Sequence, residues 1–265
     1  MITVWSRGVA DDNMPEKMLL ETLEKVRRHP WYAARAKLVL ATLRRHGVLA
    51  PAQIMDVGCG WGVTLEMLEA AGYAASGLDI SRQILERIDR PNRRLFEADL
   101  SQSLPPGAGW SDGLLALDVV EHLDDDSGAI RRMALMLRPG GLAVVSVPAR
   151  PDLFAEFDRI QGHRRRYLPD RLRAAFAGSD LEVLNIFWWG AWMVPILRRT
   201  RQGAGNASKT YADYLRLPPW PIPALMKLAY AWEHSRALEG KLRTGTSLFA
   251  VTRRRAPTAT VVRGG

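Results

Sequence analysis

The chain has 265 residues, of which 47% are hydrophobic and 25% charged, so it can bury a full core and fits one large domain better than two small ones. The formal net charge of +9 favours anionic partners: nucleic acid, a membrane surface or a phosphorylated substrate. A single cysteine, Cys59, excludes an internal disulfide and a cysteine-rich zinc cluster, and is typical of an intracellular protein.

The N-terminal segment, MITVWSRGVADDNMPEK, is too polar and too interrupted for a signal peptide. No apolar run reaches the roughly 18 to 20 residues that a membrane-spanning helix needs. We therefore expect a cytoplasmic protein whose contact with a membrane is at most peripheral.

After residues 15–47, which we assign to an N-terminal helical cap, strand and helix patterns alternate. QIMDV is a short apolar strand, and VTLEMLEAAG has a helical periodicity that Gly72 ends. AASGLDI is a second strand, and Ser81 is placed to cap the helix SRQILERI. RRLFEAD, DGLLALDVV and GLAVVSVPA follow as strands, with the helix SGAIRRMALML between the last two. This alternation predicts a parallel sheet covered by helices on both faces.

A long segment separates LEVLNIF from the last predicted strand, GTSLFAVTR. We assign 187–243 to a C-terminal helical insertion and 253–265 to a disordered basic tail. Residues 1–252 then form a single domain.

An aspartate stands at the end of each of the first four predicted strands: Asp56, Asp79, Asp99 and Asp118. In a sheet of this kind the ligand binds outside the carboxyl ends of the strands, where the strand order reverses. One aspartate is a common turn or cap residue. Four in succession on one edge indicate a binding site.

The loop DVGCGWG joins the first strand to its helix and carries Gly58, Gly60 and Gly62. Glycine permits a tight turn and leaves no side chain between the main chain and a ligand. A dinucleotide fingerprint would need glycine where Val63 stands, and no G-K-[ST] follows for a P-loop. The spacing favours a cationic, phosphate-free nucleoside.

The motifs IMDVGCGWG, GLDIS, EADL, LALDVVEHL and LRPGGLAVVSVP, in this order from Ile54 to Pro148, resemble those of class I S-adenosylmethionine-dependent methyltransferases. The resemblance implies an α/β fold with that family's Rossmann-like sheet, mostly parallel with an antiparallel last strand, and S-adenosylmethionine as the cofactor. The residues that it assigns to the cofactor are Arg35, Asp56, Gly58, Cys59, Gly60, Gly62, Asp79, Ile80, Asp99, Leu100, Leu117 and Asp118.

Each part of the cofactor has expected partners in that set. The glycines would pass under the methionine part, with Asp56 near its amino group or supporting the loop. Asp79 would accept both ribose hydroxyls, because a carboxylate offers two acceptor oxygens. Residues 99–100 would lie at the adenine edge, and residues 117–118 would border the sulfonium.

Two residues near the expected cofactor site, Arg35 and Trp61, have two interpretations each. Arg35 resembles the arginine that ubiquinone-pathway O-methyltransferases aim at the cofactor carboxylate, and it also fits a solvated helix arginine. Trp61 either stacks near the methionine part or covers the first helix.

The acceptor should lie beside DVVEHLDDD, directly after the fourth strand. Methyl transfer is an in-line displacement that needs a base only when the nucleophile is protonated. His122 is a candidate for that base, since its unperturbed pKa is about 6.5; otherwise Glu121 and His122 only orient the loop. The segment also resembles the E-x-x-E-H metal site of some ubiquinone-pathway and small-RNA 2′-O-methyltransferases, formed here by Asp118, Glu121 and His122. We predict no metal, because many class I enzymes carry the E-H pair without one.

The stretch FDRIQGHRRRY follows the fifth strand, so it should border the acceptor pocket. It resembles a D-x-x-x-G-H-x-R-R-Y signature of a bacterial subgroup of these enzymes, and it supplies His163 as a second catalytic candidate. Its arginines either clamp the loop over the pocket, grip an anionic substrate bidentately or bind nucleic acid.

A nucleic-acid substrate is disfavoured. The fourth strand ends in LDVV and lacks the D/N-P-P-Y/F segment of enzymes that methylate exocyclic base amines. The single cysteine lies in the cofactor loop, where it cannot serve a cytosine-C5 mechanism. No aromatic-interleaved basic stripe is visible.

The insertion carries FWWGAWMVPILRRTR and LPPWPIPALMKLAYAWEH. Such segments lie at a membrane interface, with tryptophans at headgroup depth and arginines on anionic lipid, or they form a helical lid or a dimer contact. We predict that the insertion from about Phe187 to Tyr230 selects a lipophilic acceptor. The interfacial interpretation is tested by changing Trp188, Trp189 and Trp192 to serine.

The sequence thus predicts methyl transfer from S-adenosylmethionine to a small or lipid-like acceptor, by O-methylation with general-base assistance. The alternatives are an RNA 2′-O-methyltransferase and a non-catalytic cofactor-binding subunit that acts through its insertion. The oligomeric state stays open.

Overall fold

A computed structural model describes residues 2–8, 15–105, 107–201 and 210–256. The strands are β1 Ile2–Val4, β2 Gln53–Val57, β3 Ala74–Asp79, β4 Arg94–Glu97, β5 Ser111–Leu117, β6 Leu137–Pro148, β7 Leu181–Trp189 and β8 Ser247–Arg254. The helices are α1 Glu16–Arg28, α2 Pro30–Arg45, α3 Val63–Ala70, α4 Arg82–Ile88, α5 Asp126–Met136, α6 Glu156–Ile160, α7 Pro169–Ala175, α8 Met193–Arg201, α9 Tyr211–Tyr214 and α10 Ile222–Leu238.

The described strands form one sheet in the order β1-β4-β3-β2-β5-β6-β8-β7. β8 pairs antiparallel with both β6 and β7, and the remaining pairings are parallel. The predicted α/β sheet, mostly parallel with an antiparallel last strand, is confirmed. The chain moves from β2 outward to β4 and then returns to β5 on the other side, so the order reverses between β2 and β5. Their carboxyl ends define the expected ligand edge.

The central strands are buried on both faces. Alternate side chains of a strand point to opposite faces. Met55, Leu114 and Val145 pack on one face, and their neighbours Ile54, Leu115 and Val144 pack on the other. This two-sided burial explains why β2, β5 and β6 are nearly continuous apolar runs.

The helical cap consists of α1 and α2. Pro30 occupies the first turn of α2, where its missing N–H costs nothing, and the preceding His29 accepts a hydrogen bond from the Trp31 amide through Nδ1. Leu38 and Leu43 of α2 are fully buried against the sheet. The cap is therefore fixed to the strands whose ends carry the expected site.

The sequence patterns do not predict β1. Its three residues pair parallel with β4, and the following Trp5 packs on Phe96 with the ring centroids 4.3 Å apart. A strand this short carries no periodicity of its own, and only its partner reveals it.

The helical insertion begins later than predicted. β7 runs through Trp189, and Trp188 and Trp189 pair with Leu248 and Ser247 of β8, so the helical part starts at Met193 rather than at 187. Residues 202–209 of the insertion lie outside the described residues. Across the described ranges, no helix is long and apolar enough to cross a membrane.

The predicted basic tail also starts too early. Arg253 and Arg254 belong to β8, where Arg253 pairs with Leu142 and Glu182. Residues 257–265 lie outside the described residues.

Trp189 is a packing centre for the insertion. It is 0% exposed and lies between Trp31 of the cap, at 5.7 Å between ring centroids, and Tyr230 of α10, at 5.1 Å. Replacing Trp189 with alanine leaves a cavity and should lower the free energy of unfolding by about 3 to 5 kcal/mol. Trp232→Ala is the matched control: that side chain is 61% exposed, so a change of about 1 kcal/mol or less is expected in urea denaturation. Equal losses in both variants would contradict this placement.

Asp56 gives the stability a pH dependence. It is buried in β2, and burial above all raises the pKa of its carboxyl to about 7. The folded chain therefore keeps this proton up to about pH 7, whereas the unfolded chain releases it near the ordinary aspartate pKa of 3.8, and stability is lost as pH rises between the two. Asp56→Asn cannot titrate. Its free energy of unfolding relative to wild type should rise across this window by roughly 1.4 kcal/mol per unit of pKa difference. A constant difference from pH 4 to pH 8 in denaturant titrations would refute the assignment.

Candidate functional site

A cavity of about 620 Å³ lies at the carboxyl edge of the sheet, between the strand ends, the cap and the insertion. This volume is within the usual range of a ligand pocket, roughly 300 to 1,000 Å³. The predicted site residues that line it are Arg35, Gly58, Cys59, Gly60, Asp79, Ile80, Asp99, Leu100, Leu117, Asp118, His122 and His163. Asp56 and Gly62 do not line it: Asp56 is buried within β2, and Gly62 is the residue that precedes α3.

The glycine loop brings its backbone close to this cavity. Gly58 has φ +67°, and a Cβ there would meet Val119 Cγ2 at 2.5 Å. Its amide donates to the Leu78 carbonyl oxygen at 2.7 Å, which folds the loop back over β3. Gly60 has φ +45°, also in the left-handed region. A larger residue at Gly58 would displace the loop.

Asp79 both supports this loop and faces the cavity. Its Oδ2 accepts from the Gly60 amide at 2.8 Å, and its Oδ1 accepts from the Ser81 amide at 3.0 Å. Burial above all raises the pKa of the carboxyl, whereas these backbone donors oppose the shift. Each oxygen has further lone-pair capacity, as a partner for two neighbouring hydroxyls requires.

Asp99 is framed by the N-terminal segment. Its amide donates to Ser6 Oγ at 2.9 Å, and a Cβ on Gly8 would meet its Oδ2 at 2.6 Å. Its Oδ1 accepts from the Ser101 amide at 2.8 Å. Sequence reasoning missed Ser6 and Gly8 as neighbours of the site, because their position depends on the pairing of β1.

Arg35 joins the cap to the end of β5. Its Nη1 donates to Asp118 Oδ2 at 2.5 Å, and its guanidinium lies 4.7 Å from the centre of the Trp31 ring. Asp118 has φ +57°, and its Oδ1 accepts from Ser146 Oγ at 3.0 Å. The Arg35 side chain is 12% exposed, so it is not a solvated helix arginine. Its Nε is buried with no hydrogen-bond partner.

Trp61 lines the cavity and fastens the cap to the glycine loop. Its Nε1 donates to the Leu19 carbonyl at 2.8 Å, and its ring stacks on Tyr211 with centroids 6.2 Å apart. The Tyr211 and Tyr32 hydroxyls share a hydrogen bond of 2.5 Å. Sequence reasoning missed both tyrosines, since their contact spans the cap and α9.

Glu121, His122 and His163 meet on the acceptor side. The rings of His122 and His163 lie 4.8 Å apart, edge to face, and His163 Nε2 lies 3.9 Å from Glu121 Oε1. Burial, and next the His163 charge, lower the pKa of His122 to about 3. Burial, and next the Asp118 carboxylate, raise the pKa of Glu121 well above its ordinary value. His122 is therefore neutral at working pH, and Glu121 binds a proton readily.

Asp158 fixes the orientation of His163. Its Oδ1 lies 3.0 Å from His163 Nδ1 and accepts from Arg166 Nε at 2.7 Å, and its Oδ2 accepts from the Ala155 amide at 2.9 Å. A histidine whose Nδ1–H is held by a carboxylate presents Nε2 as its basic nitrogen. The Asp158–His163 pair thus has the geometry of an oriented base.

The three arginines of GHRRRY bind the protein itself. Arg164 Nε donates to the His122 carbonyl at 2.7 Å, Arg165 donates to the Asp124 carbonyl at 3.2 Å, and Arg166 donates to the Ala149 carbonyl at 2.8 Å. These bonds connect the segment to the loop after β5 and to the end of β6. They favour the clamp among the three expected roles, and Arg166 also lines the cavity.

Three side chains here could bind a divalent ion, but they are not the three that the sequence suggested as possible ligands. Ligand atoms of Glu121, His122 and His163 all lie within 4.8 Å of one another. Both Glu121 oxygens and His122 Nδ1 are buried without hydrogen-bond partners. Asp118, the third residue of the sequence-based set, is bound to Arg35. His163 takes its place in the cluster.

The insertion closes one side of the cavity with apolar side chains. Met193 and Leu197 of α8 and Met226 of α10 are among its lining residues. Glu233 of α10 is buried and accepts from the Gly190 and Ala191 amides at 3.0 and 2.6 Å. That carboxylate fixes the turn between β7 and α8 to α10.

The three tryptophans that the sequence offers for a membrane surface differ in exposure. Trp189 is fully buried, and Trp188 and Trp192 are partly buried against the two faces of the core. Exposed tryptophans are instead Trp220 and Trp232. The sequence pattern identified the segment, but it could not tell which side of each element faces solvent.

Comparison with known proteins identifies the family. Residues 27–186 match the model of a family described as a methyltransferase domain. The ubiquinone biosynthesis O-methyltransferase of Caulobacter sp. (strain K31) is 30% identical over 160 residues, which are 51% of this chain and 61% of that relative. The chain therefore spans less than two thirds of the length of this relative.

Solved structures share the fold. The [4+2]-cyclase SpnF superposes with a TM-score of 0.58 at 16% identity, over 96% of this chain and all of that chain. Geranyl diphosphate C-methyltransferase from Streptomyces coelicolor A3(2), solved with Mg²⁺, geranyl-S-thiolodiphosphate and S-adenosyl-L-homocysteine, gives 0.52 at 16% identity over 84% of this chain and 76% of that chain. At these identities the likeness shows the fold alone. With the family match over residues 27–186, which is more than half of the chain, the chain belongs to the methyltransferase domain family.

Proposed function

We propose that the protein methylates an oxygen atom of a small, lipophilic acceptor and that His163 is the general base. The observation that carries this proposal is the hydrogen bond between Asp158 and His163 Nδ1, 3.0 Å long, at the wall of the cavity that also holds the predicted cofactor residues. Oxygen nucleophiles are protonated at neutral pH, so an oriented base has a purpose there.

The cofactor residues fit S-adenosylmethionine. The Gly58–Gly60 backbone follows the cavity wall, Asp79 offers both carboxylate oxygens for ribose hydroxyls, and residues 99–100 offer an adenine edge. Arg35 lines the cavity and carries the positive charge that the carboxylate of the methionine part requires. When bound, the cofactor supplies an electrophilic methyl group on a sulfonium. Asp56 does not line the cavity and is left out of the proposed cofactor contacts.

His163 suits the role of base better than His122. The Asp158 carboxylate holds its Nδ1, so its other nitrogen can take a proton from the acceptor. His122 has a pKa of about 3, so it is a weak base whose neutral ring shapes the wall. Glu121 Oε1 lies 3.9 Å from His163 Nε2, and the raised pKa of this carboxyl favours its uncharged form beside that nitrogen.

The lining favours a lipophilic acceptor. Away from the strand ends the wall is formed by apolar side chains of the cap, the loops and the insertion: Leu19, Leu123, Phe157, Met193, Leu197 and Met226. Such a surface binds apolar groups through burial, whereas a few polar side chains orient the reacting atom. The similar proteins methylate oxygen, nitrogen or carbon by their names, so the choice of oxygen depends on the base and not on the likeness.

An RNA acceptor is the weaker candidate. Phosphate binding requires accessible cations, and the run Arg164 to Arg166 is bound to backbone carbonyls. A non-catalytic role is disfavoured by the family match, and it would leave the Asp158–His163 pair without a purpose.

Cofactor binding should depend on Asp79. Asp79→Ala removes the acceptors for two ribose hydroxyls and for the Gly60 amide. The binding of S-adenosylhomocysteine, measured by calorimetry, should weaken by about 1 to 3 kcal/mol. Asp112→Ala is the control, since that carboxylate accepts from the Gln53 amide at the opposite edge of the sheet. Unchanged affinity in Asp79→Ala would remove this residue from the site.

Turnover should depend on His163 more than on His122. The acceptor is first identified as the unmethylated metabolite that accumulates in a deletion strain in place of its methylated product. With that acceptor, His163→Ala should lower kcat by roughly a hundredfold or more while S-adenosylhomocysteine still binds, and His122→Ala should cost less.

Three results would decide against this assignment. Near-wild-type kcat in His163→Ala excludes it as the base. A larger loss in His122→Ala reverses the two roles. A rate that a chelator abolishes and Mg²⁺ restores makes Glu121, His122 and His163 metal ligands instead.

A further inference from the structure

Helix α10 has two apolar sides with different surroundings. Tyr230, Glu233 and Ala237 are buried toward the protein, and Met226 reaches the cavity. The opposite side carries Ile222, Leu225, Leu228 and Trp232, all exposed. Their spacing of three and four residues places them along one face of the helix. We call these four residues, with Trp220 just before the helix, the outer face.

The outer face is more exposed than a structural role requires. Trp220 is 85% exposed, Leu228 is 66% and Leu225 is 57%. Single exposed apolar residues are ordinary, but a row of large ones along a helix indicates an interaction surface. Within the described residues, no element covers these side chains.

The charges around the outer face are positive. α10 contains one acidic residue, Glu233, and that side chain is buried on the opposite side, where it binds two backbone amides. Arg236 follows Trp232 by one turn, and its guanidinium lies over the Trp232 ring at 4.5 Å. Lys227 is exposed on the flank of the helix. Glu239, just beyond the helix, is paired with Lys241 at 2.6 Å. The net charge of the chain is +9.

We propose that the outer face docks on an anionic membrane surface. An interfacial helix presents an apolar side with tryptophan and leucine to the acyl boundary and cations to the headgroups. Lysine and arginine near an anionic leaflet add electrostatic attraction. A second copy of the chain would bring Lys227 and Arg236 against the same cations, whereas anionic headgroups neutralise them.

The docking surface and the cavity share one helix. Met226 lines the cavity, and Leu225, its neighbour in the chain, belongs to the outer face. Docking therefore places the apolar wall formed by α8 and α10 next to the lipid. The proposal holds whether or not the acceptor is itself a lipid.

Vesicle co-sedimentation tests the surface with the full chain. Wild type should bind phosphatidylglycerol-containing vesicles at least tenfold more strongly than pure phosphatidylcholine vesicles, and rising salt should weaken that binding. The apolar variant is Leu225→Ser with Leu228→Ser and Trp232→Ser. Its matched control replaces exposed leucines elsewhere: Leu49→Ser with Leu135→Ser and Leu168→Ser. The apolar variant should lose tenfold or more in binding, and the control should bind like wild type.

Two double variants distinguish attraction of the outer face to the vesicle from attraction of the net charge of the chain. Lys227→Glu with Arg236→Glu changes the net charge as much as Arg44→Glu with Arg87→Glu, which alters exposed sites on α2 and α4. The first variant should lose more binding to anionic vesicles than the second. None of the changed residues lines the cavity, so S-adenosylhomocysteine binding should be unaltered in all variants, which also shows that they are folded.

Several results would overturn the proposal. Wild type is tested first, at low salt: absence of binding to anionic vesicles under that condition refutes the proposal outright. Equal binding by the apolar variant and its control, or equal losses in the two charge variants, refutes the surface. A wild-type dimer in light scattering that becomes a monomer in the apolar variant, without vesicle binding, assigns the outer face to a second copy. Loss of methyl transfer in His163→Ala leaves all of these outcomes unchanged, so the two proposals fail separately.

Discussion

The acceptor side depends on the buried carboxylate of Asp158. This one group accepts from the amide before α6, from Arg166 and, through Nδ1–H, from His163. Removing a charge from water is costly, and the close Arg166 guanidinium compensates for it. Without Asp158 the buried Arg166 would be uncompensated, a loss of about 3 to 5 kcal/mol. The spacing of Asp158, His163 and Arg166 in the sequence thus follows from one short helix turning back on a single carboxylate.

The two halves of the site are built by different means. On the cofactor side the backbone carries the geometry: strand ends and glycine turns set Gly60 against Asp79. On the acceptor side long-range side-chain bonds do so, because Arg164 and Arg165 tie their segment to the loop after β5. Arg35 joins the halves, since it belongs to the cap and binds Asp118 beside the acceptor loop. A shift of the cap would therefore alter both halves.

Sequence reasoning succeeded where the signal is local. Glycines at a strand end, aspartates after successive strands and the alternation of strand and helix each follow from a few neighbouring residues, so the sheet and its ligand edge were predictable. It failed where distant pairing decides. β1 is visible only beside β4, and Trp189 is buried only because β7 continues to it and α10 covers it. The replacement of Asp118 by His163 in the acidic and histidine cluster likewise depends on contacts between separate loops.

The insertion shows why the sequence alone does not reveal which side of an apolar helix faces the protein. α10 has large apolar residues on nearly every side, so its pattern does not distinguish the inner side from the outer one. Several contacts set the orientation. Glu233 accepts from the Gly190 and Ala191 amides, and the Tyr230 ring packs on Trp189. Leu228 and Trp232 therefore lie outside. Because that carboxylate is buried and its donors belong to the turn after β7, the outer face is fixed relative to the sheet. An outer face held in this way can present the cavity to a membrane surface in one defined orientation, which a loosely tethered helix could not do.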